Sequence, residues 1–141
     1  MIILVMCIIN VNRNVYVGFR SYLVFSSKDI IGPITPSQAG PSFTNVQSCH
    51  AEVGAIKTAE SLHKNPKKGK LICTRWKYYK INQSSGYWKL DDGIPCTTCM
   101  KYIENKGFKD IIVSSQNGLV KMNIQEAKKI SKPSTGLLYG K

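Results

Sequence analysis

Acidic residues are scarce in this sequence. Eight Asp and Glu stand against 20 Lys and Arg, giving a formal net charge of +12 over 141 residues. Such a surface attracts phosphate-bearing partners, whether free nucleotides or polynucleotides, and does not choose between them. The scarcity is sharpest over residues 61–90, which hold no carboxylate at all. Long apolar runs are missing too. The opening stretch Met1–Ile9 is too short to span a bilayer and lacks the basic flank and small-residue cleavage site of a secretory leader. It reads as a buried strand, and no membrane partner is expected. The five cysteines are too few and odd in number for a disulfide framework, which points to a reducing, cytoplasmic setting. At this length the chain fits a single domain with one core, ending in a basic tail from about residue 131 that is expected to be mobile.

What is present is concentrated in two short stretches, Cys49-His50-Ala51-Glu52 and Pro95-Cys96-Thr97-Thr98-Cys99. They supply an imidazole, two thiols and a carboxylate. A catalytic zinc ion takes three protein ligands and leaves its fourth position to water, and His50, Cys96 and Cys99 can be those three. Bound Zn2+ lowers the pKa of water towards neutrality. Glu52 would then stand off the metal and move protons. The plainer alternative is a zinc ion that only staples the fold, with a fourth protein ligand.

The order H-x-E followed by P-C-x-x-C resembles the cytidine and deoxycytidylate deaminase superfamily of zinc enzymes. Over about residues 45–116 the resemblance implies a three-layer α/β/α sandwich around a mixed five-stranded sheet. It also implies hydrolytic deamination of a cytosine-containing nucleoside or nucleotide, with release of ammonia. The alternatives are a deaminase acting on cytosine or adenine in RNA or single-stranded DNA, and a catalytically idle zinc domain that binds nucleic acid or a partner protein. A strand, a hairpin and then P-C-x-x-C also resembles small deaminase-like proteins of large DNA viruses and fungi. Much of the superfamily carries G-x-N at the end of an early strand; here Gly18-Phe19-Arg20 puts Arg20 where that Asn would touch substrate. Asn45 is a substrate contact by position, and Ala51, between the two site residues, is another pocket candidate. Many relatives place a helix before the first strand, so the edge this chain leaves is expected to be covered otherwise, for example in a homo-oligomer.

Along the chain, residues 2–9 and 15–19 read as a hairpin. Residues 26–44, with Gly32-Pro33, Thr35-Pro36 and Gly40-Pro41, read as a long loop over the site, where Phe43 could offer a stacking face. A helix is expected from His50 to about His63 on the Ala51, Ala55, Ala59 stripe. A strand follows over 70–81, with a turn at 82–86. Then come a helix over 96–106 ended by Gly107, strands at 110–115 and 119–122, and a short helix over 124–131 capped by Asn123. Lysines and arginines of segment 64–89 are interleaved with Trp76, Tyr78, Tyr79, Tyr87 and Trp88. That pattern suits single-stranded nucleic acid and equally suits an ordinary exposed hairpin.

Overall fold

The computed structural model describes residues 17–34 and 50–133. Over these the chain runs β1 (Val17–Ser26), β2 (Asp29–Ile34), α1 (Ala51–Ser61), a 3-10 turn (Pro66–Lys68), β3 (Lys70–Asn82), β4 (Ser85–Asp91), α2 (Thr97–Asn105), β5 (Asp110–Ser115), β6 (Gly118–Asn123) and α3 (Ile124–Ile130). The strands form one six-stranded mixed sheet, ordered β2-β1-β3-β5-β6, with β4 on the outer part of β3. Every pairing is antiparallel except that of β3 with β5, where Ile72 and Cys73 lie opposite Ile112 and Val113. That parallel pair requires a crossover, which β4 and α2 supply. The crossover carries the Pro95-Cys96 loop to the end of β5.

Strand alternation divides the side chains. Leu23, Leu71, Cys73, Ile111 and Val113 share one core with Ala55, Ile56 and Ala59 of α1, Met100 and Ile103 of α2, and Ile124 and Ala127 of α3. All three described helices contribute to this core, while Val53 of α1 and Cys99 of α2 form a smaller cluster of their own and Ile130 of α3 stays exposed. Alanines at positions 51, 55 and 59 are almost wholly buried, and their small size lets α1 lie close to β1 and β2. Burying side chains such as Leu23, Ile56 and Leu71 stabilises the fold by about 2 kcal/mol each. No described helix is long and apolar enough to cross a membrane.

The first hairpin differs from expectation. β1 begins at Val17 and continues to Ser26, and it pairs with β2 inside the stretch read as a loop. The reason is the edge: among the described residues β2 is the outermost strand, so its Pro33 interrupts no interior ladder there, and Ile31 still reaches the core. Gly32 has φ of 119°, and a Cβ there would stand 2.6 Å from the Ser21 carbonyl oxygen. Both features look like loop punctuation in a sequence and serve an irregular edge strand here. Residues 2–9 lie outside the described residues. Among the described residues, five strands form the run of the sheet and β4 joins as a sixth on β3. The later elements fall within a residue or two of their expected bounds, with Gly107 at φ 93° after α2 and a capping box at Asn123.

Candidate metal centre

His50 and Cys96 occupy equivalent places. Each is the N-cap residue of its helix, with extended backbone (φ −78°, ψ 149° and φ −68°, ψ 167°), and neither side chain makes a capping hydrogen bond. Their carbonyls instead open the two helices, accepting from the Gly54 and Met100 N–H groups. Freed from capping, the side chains point at each other: Cys96 Sγ lies 3.4 Å from His50 Nδ1. Cys99, one turn into α2 and fully buried, completes the group, with the three ligand atoms all within 4.8 Å of one another. A tetrahedral zinc ion with its usual bonds to sulfur and nitrogen has ligand-to-ligand edges of about 3.5–3.8 Å. The donor set and its spacing fit a metal ion with two soft ligands and one imidazole.

The electrostatics of the group are those of sites that share protons. The Cys99 thiol hydrogen-bonds to Cys96, and this, with help from His50, lowers Cys96 to about 4. The same bond, burial and the neighbouring Glu52 push Cys99 up. One thiolate and one thiol is therefore the resting state, with Cys96 as the anion. The hydrogen bond that His50 donates to the Cys96 sulfur raises His50 above the usual imidazole range. Both thiols also sit at the start of α2, where unsatisfied N–H groups favour negative charge. Glu52 lies in the first turn of α1, and desolvation raises its carboxyl. It is not one of the three clustered donors.

The support beneath this group was not apparent from the sequence. Cys73 is buried in the sheet, hydrogen-bonds to Ser21 across from it on β1, and is close enough to Glu52 for the carboxylate to raise its thiol further. Gly93 packs so tightly under the Pro95-Cys96 loop that a Cβ would stand 2.5 Å from Ser114 Oγ and 2.7 Å from the Cys73 carbonyl oxygen. Ser114 ties three strands at that point: its hydroxyl donates to the Asp91 carbonyl at 2.6 Å and accepts from the Arg75 N–H at 3.0 Å. The Gly93 N–H donates to the Ser114 carbonyl at 2.9 Å. From the far side, the Lys132 carbonyl accepts from the Thr97 N–H at 3.0 Å, so the segment after α3 satisfies a donor at the start of α2.

Of the residues singled out for substrate contact, Ala51 is buried as the first residue of α1. Arg20 is buried on β1, facing Thr74 on β3. Thr74 Oγ1 donates to the Arg20 carbonyl and accepts from Trp76 Nε1, both at 3.2 Å. Alternation puts Arg20, Thr74 and Trp76 on the sheet face opposite Cys73, so they form a group of their own and do not join His50 and Glu52. Phe43 and Asn45 lie outside the described residues.

No family model, curated protein or solved structure matches this chain.

Proposed function

We propose that this protein is a zinc-dependent deaminase, hydrolysing the exocyclic amine of a cytosine-containing nucleoside or nucleotide. The observation that carries the reading is the convergence of one imidazole and two sulfurs from two helix starts, with a raised carboxyl two residues from the imidazole and outside the donor set. Three ligands leave a zinc ion one position for solvent, and a zinc ion there would supply a water acidified to near neutrality. Glu52 is the group that holds and moves the proton: its raised affinity for protons suits it to accept one from water and return it to the ring nitrogen. The mixed sheet with helices packed on it is the part of the three-layer sandwich of such enzymes that supports this reading. The free thiols suit a reducing compartment such as the cytoplasm.

The test is an ammonia-release screen of the zinc-loaded protein over cytosine, adenine and guanine nucleosides and nucleotides. Glu52→Gln is expected to retain zinc and lose turnover by a factor of at least about 100. Release of ammonia by Glu52→Gln at the wild-type rate removes Glu52 from its role. Zinc retention with no release from any amino-bearing base makes the ion a structural staple.

A further inference from the structure

β3 is far longer than the core it serves. Its buried run is Leu71 to Thr74, after which the strand continues for eight residues, paired with β4 from Arg75 opposite Asp91 out to Asn82 opposite Ser85. From Lys77 to Leu90 this arm contains no Asp or Glu, and it carries exposed rings at Tyr79 and Tyr87, which are 37% and 50% accessible. An arm that bears large apolar side chains without burying them marks a contact surface.

One face of the arm has a definite chemistry. Tyr79 and Tyr87 lie opposite each other in register, and their rings stack with centroids 5.7 Å apart and planes 21° from parallel. Beside them Lys77 lies opposite Lys89, with the Lys77 ammonium 5.7 Å from the Tyr79 ring centroid. Like charges set directly across a ladder destabilise it. The acid on this face, Asp91, pairs with Arg75 at 3.5 Å, and among the described residues neither lysine forms an ion pair. Positive charge on this face therefore outnumbers its one carboxylate, Asp91, which Lys77 also helps to hold ionised, and lies beside flat aromatic surface.

We infer that this face, Lys77, Tyr79, Tyr87 and Lys89, binds single-stranded nucleic acid, the lysines taking phosphates and the tyrosines stacking on bases. An acidic peptide would satisfy the lysines and leave the rings unused. A duplex hides its base faces. A single strand offers both complements at once, and stacking on aromatic rings is tolerant of sequence. Alternation also puts Lys77 and Tyr79 on the same side of β3 as Cys73, the residue beneath Glu52, so the face leads towards the metal centre over about 20 Å. That the bound strand is also the substrate rests on the deaminase reading; the binding itself does not.

The test is fluorescence anisotropy of a labelled 15-residue oligothymidylate with the full-length zinc-loaded protein. Thymine has no exocyclic amine, so binding is read independently of turnover. Wild type is expected to bind, with affinity falling as salt rises. The pair Tyr79→Ala and Tyr87→Ala is expected to weaken binding at least about tenfold, and Tyr79→Phe with Tyr87→Phe to preserve it. Lys77→Gln with Lys89→Gln should lower the slope of log K against log salt by about 1.4. No wild-type binding at low salt, or alanine variants that bind as wild type, overturns the inference. So does a phenylalanine pair as weak as the alanine pair. Should the alanine variants fail to fold, photocrosslinking of wild type to a bromouracil oligonucleotide decides: adducts on Tyr79 or Tyr87 support it, and adducts confined elsewhere overturn it. Deamination of free nucleotides without oligothymidylate binding overturns this inference alone, and binding without ammonia release overturns only the deaminase proposal.

Discussion

Two kinds of helix start coexist in this molecule. α3 begins as a helix standing alone would: Asn123 Oδ1 accepts from the Glu126 N–H at 2.8 Å, and Glu126 Oε1 accepts from the Asn123 N–H at 3.4 Å. α1 and α2 begin at His50 and Cys96, whose side chains cap nothing and instead approach each other. A good side-chain cap stabilises a helix by about 1 kcal/mol. At the metal end that stabilisation is forgone, and packing replaces it: the Lys132 carbonyl takes one donor of α2, and α1 lies alanine-first against the sheet. What the difference teaches is that these two starts are shaped for the groups between them.

The sharpest way to break the comparison is Cys96→Ser. Serine is a preferred N-cap, so the metal-free variant is expected to be as stable as wild type or up to about 1 kcal/mol more stable in urea denaturation. Its zinc content after dialysis should nevertheless fall from about one per chain to near none, because a thiolate ligand is gone. A variant that keeps its zinc would mean that Cys96 is not a ligand. The resting proton arrangement makes a related prediction. Cys96, at about 4, is already anionic at pH 7.5, whereas Cys99 is held protonated. Zinc uptake at that pH should therefore release the Cys99 proton together with any proton His50 still holds, about one to two per site with an indicator dye, and affinity should fall as pH is lowered.

Next in size is Gly93→Ala. Its new methyl would meet Ser114 Oγ and the Cys73 backbone at distances no relaxed contact has. Stability is expected to drop by about 2 kcal/mol, with weaker zinc binding because the Pro95-Cys96 loop must shift. The smallest effect is at the ordinary helix start. Asn123→Ala should cost about 1 kcal/mol in urea denaturation and leave zinc stoichiometry untouched. Loss of zinc in that variant would contradict the separation drawn between α3 and the other two helices.

Sequence legibility followed the range of the interactions. Cys96 and Cys99 are one helical turn apart and His50 and Glu52 two residues apart, so each half of the site is local and could be read directly. Joining the halves required the resemblance, since 46 residues separate His50 from Cys96. The end of α2 and the start of α3 were likewise local, written in Gly107 and in Asn123, while the reciprocal bond of Glu126 emerged from the structure. β2 was not legible, because Gly32-Pro33 signals a loop until it is known that the strand lies at the edge. Cys73 reads as a small core residue, and only the β1–β3 register puts it beside Ser21 and under Glu52. Gly93 reads as part of a turn, whereas its smallness is required by the junction of β3 and β5 packed against it. The hold of Lys132 on Thr97 spans 35 positions through a backbone carbonyl, which no side-chain pattern announces.

The proposed chemistry requires three protein ligands meeting at one ion with a place left for solvent. X-ray absorption of the zinc-loaded protein tests this most directly. The expected spectrum fits two sulfurs at about 2.3 Å and two lighter scatterers at about 2.0–2.1 Å, one of them an imidazole nitrogen. The lighter scatterer that is not imidazole should be displaced by added cyanide or a thiol. A shell of three or four sulfurs, or a fourth ligand that no added ligand displaces, would contradict it.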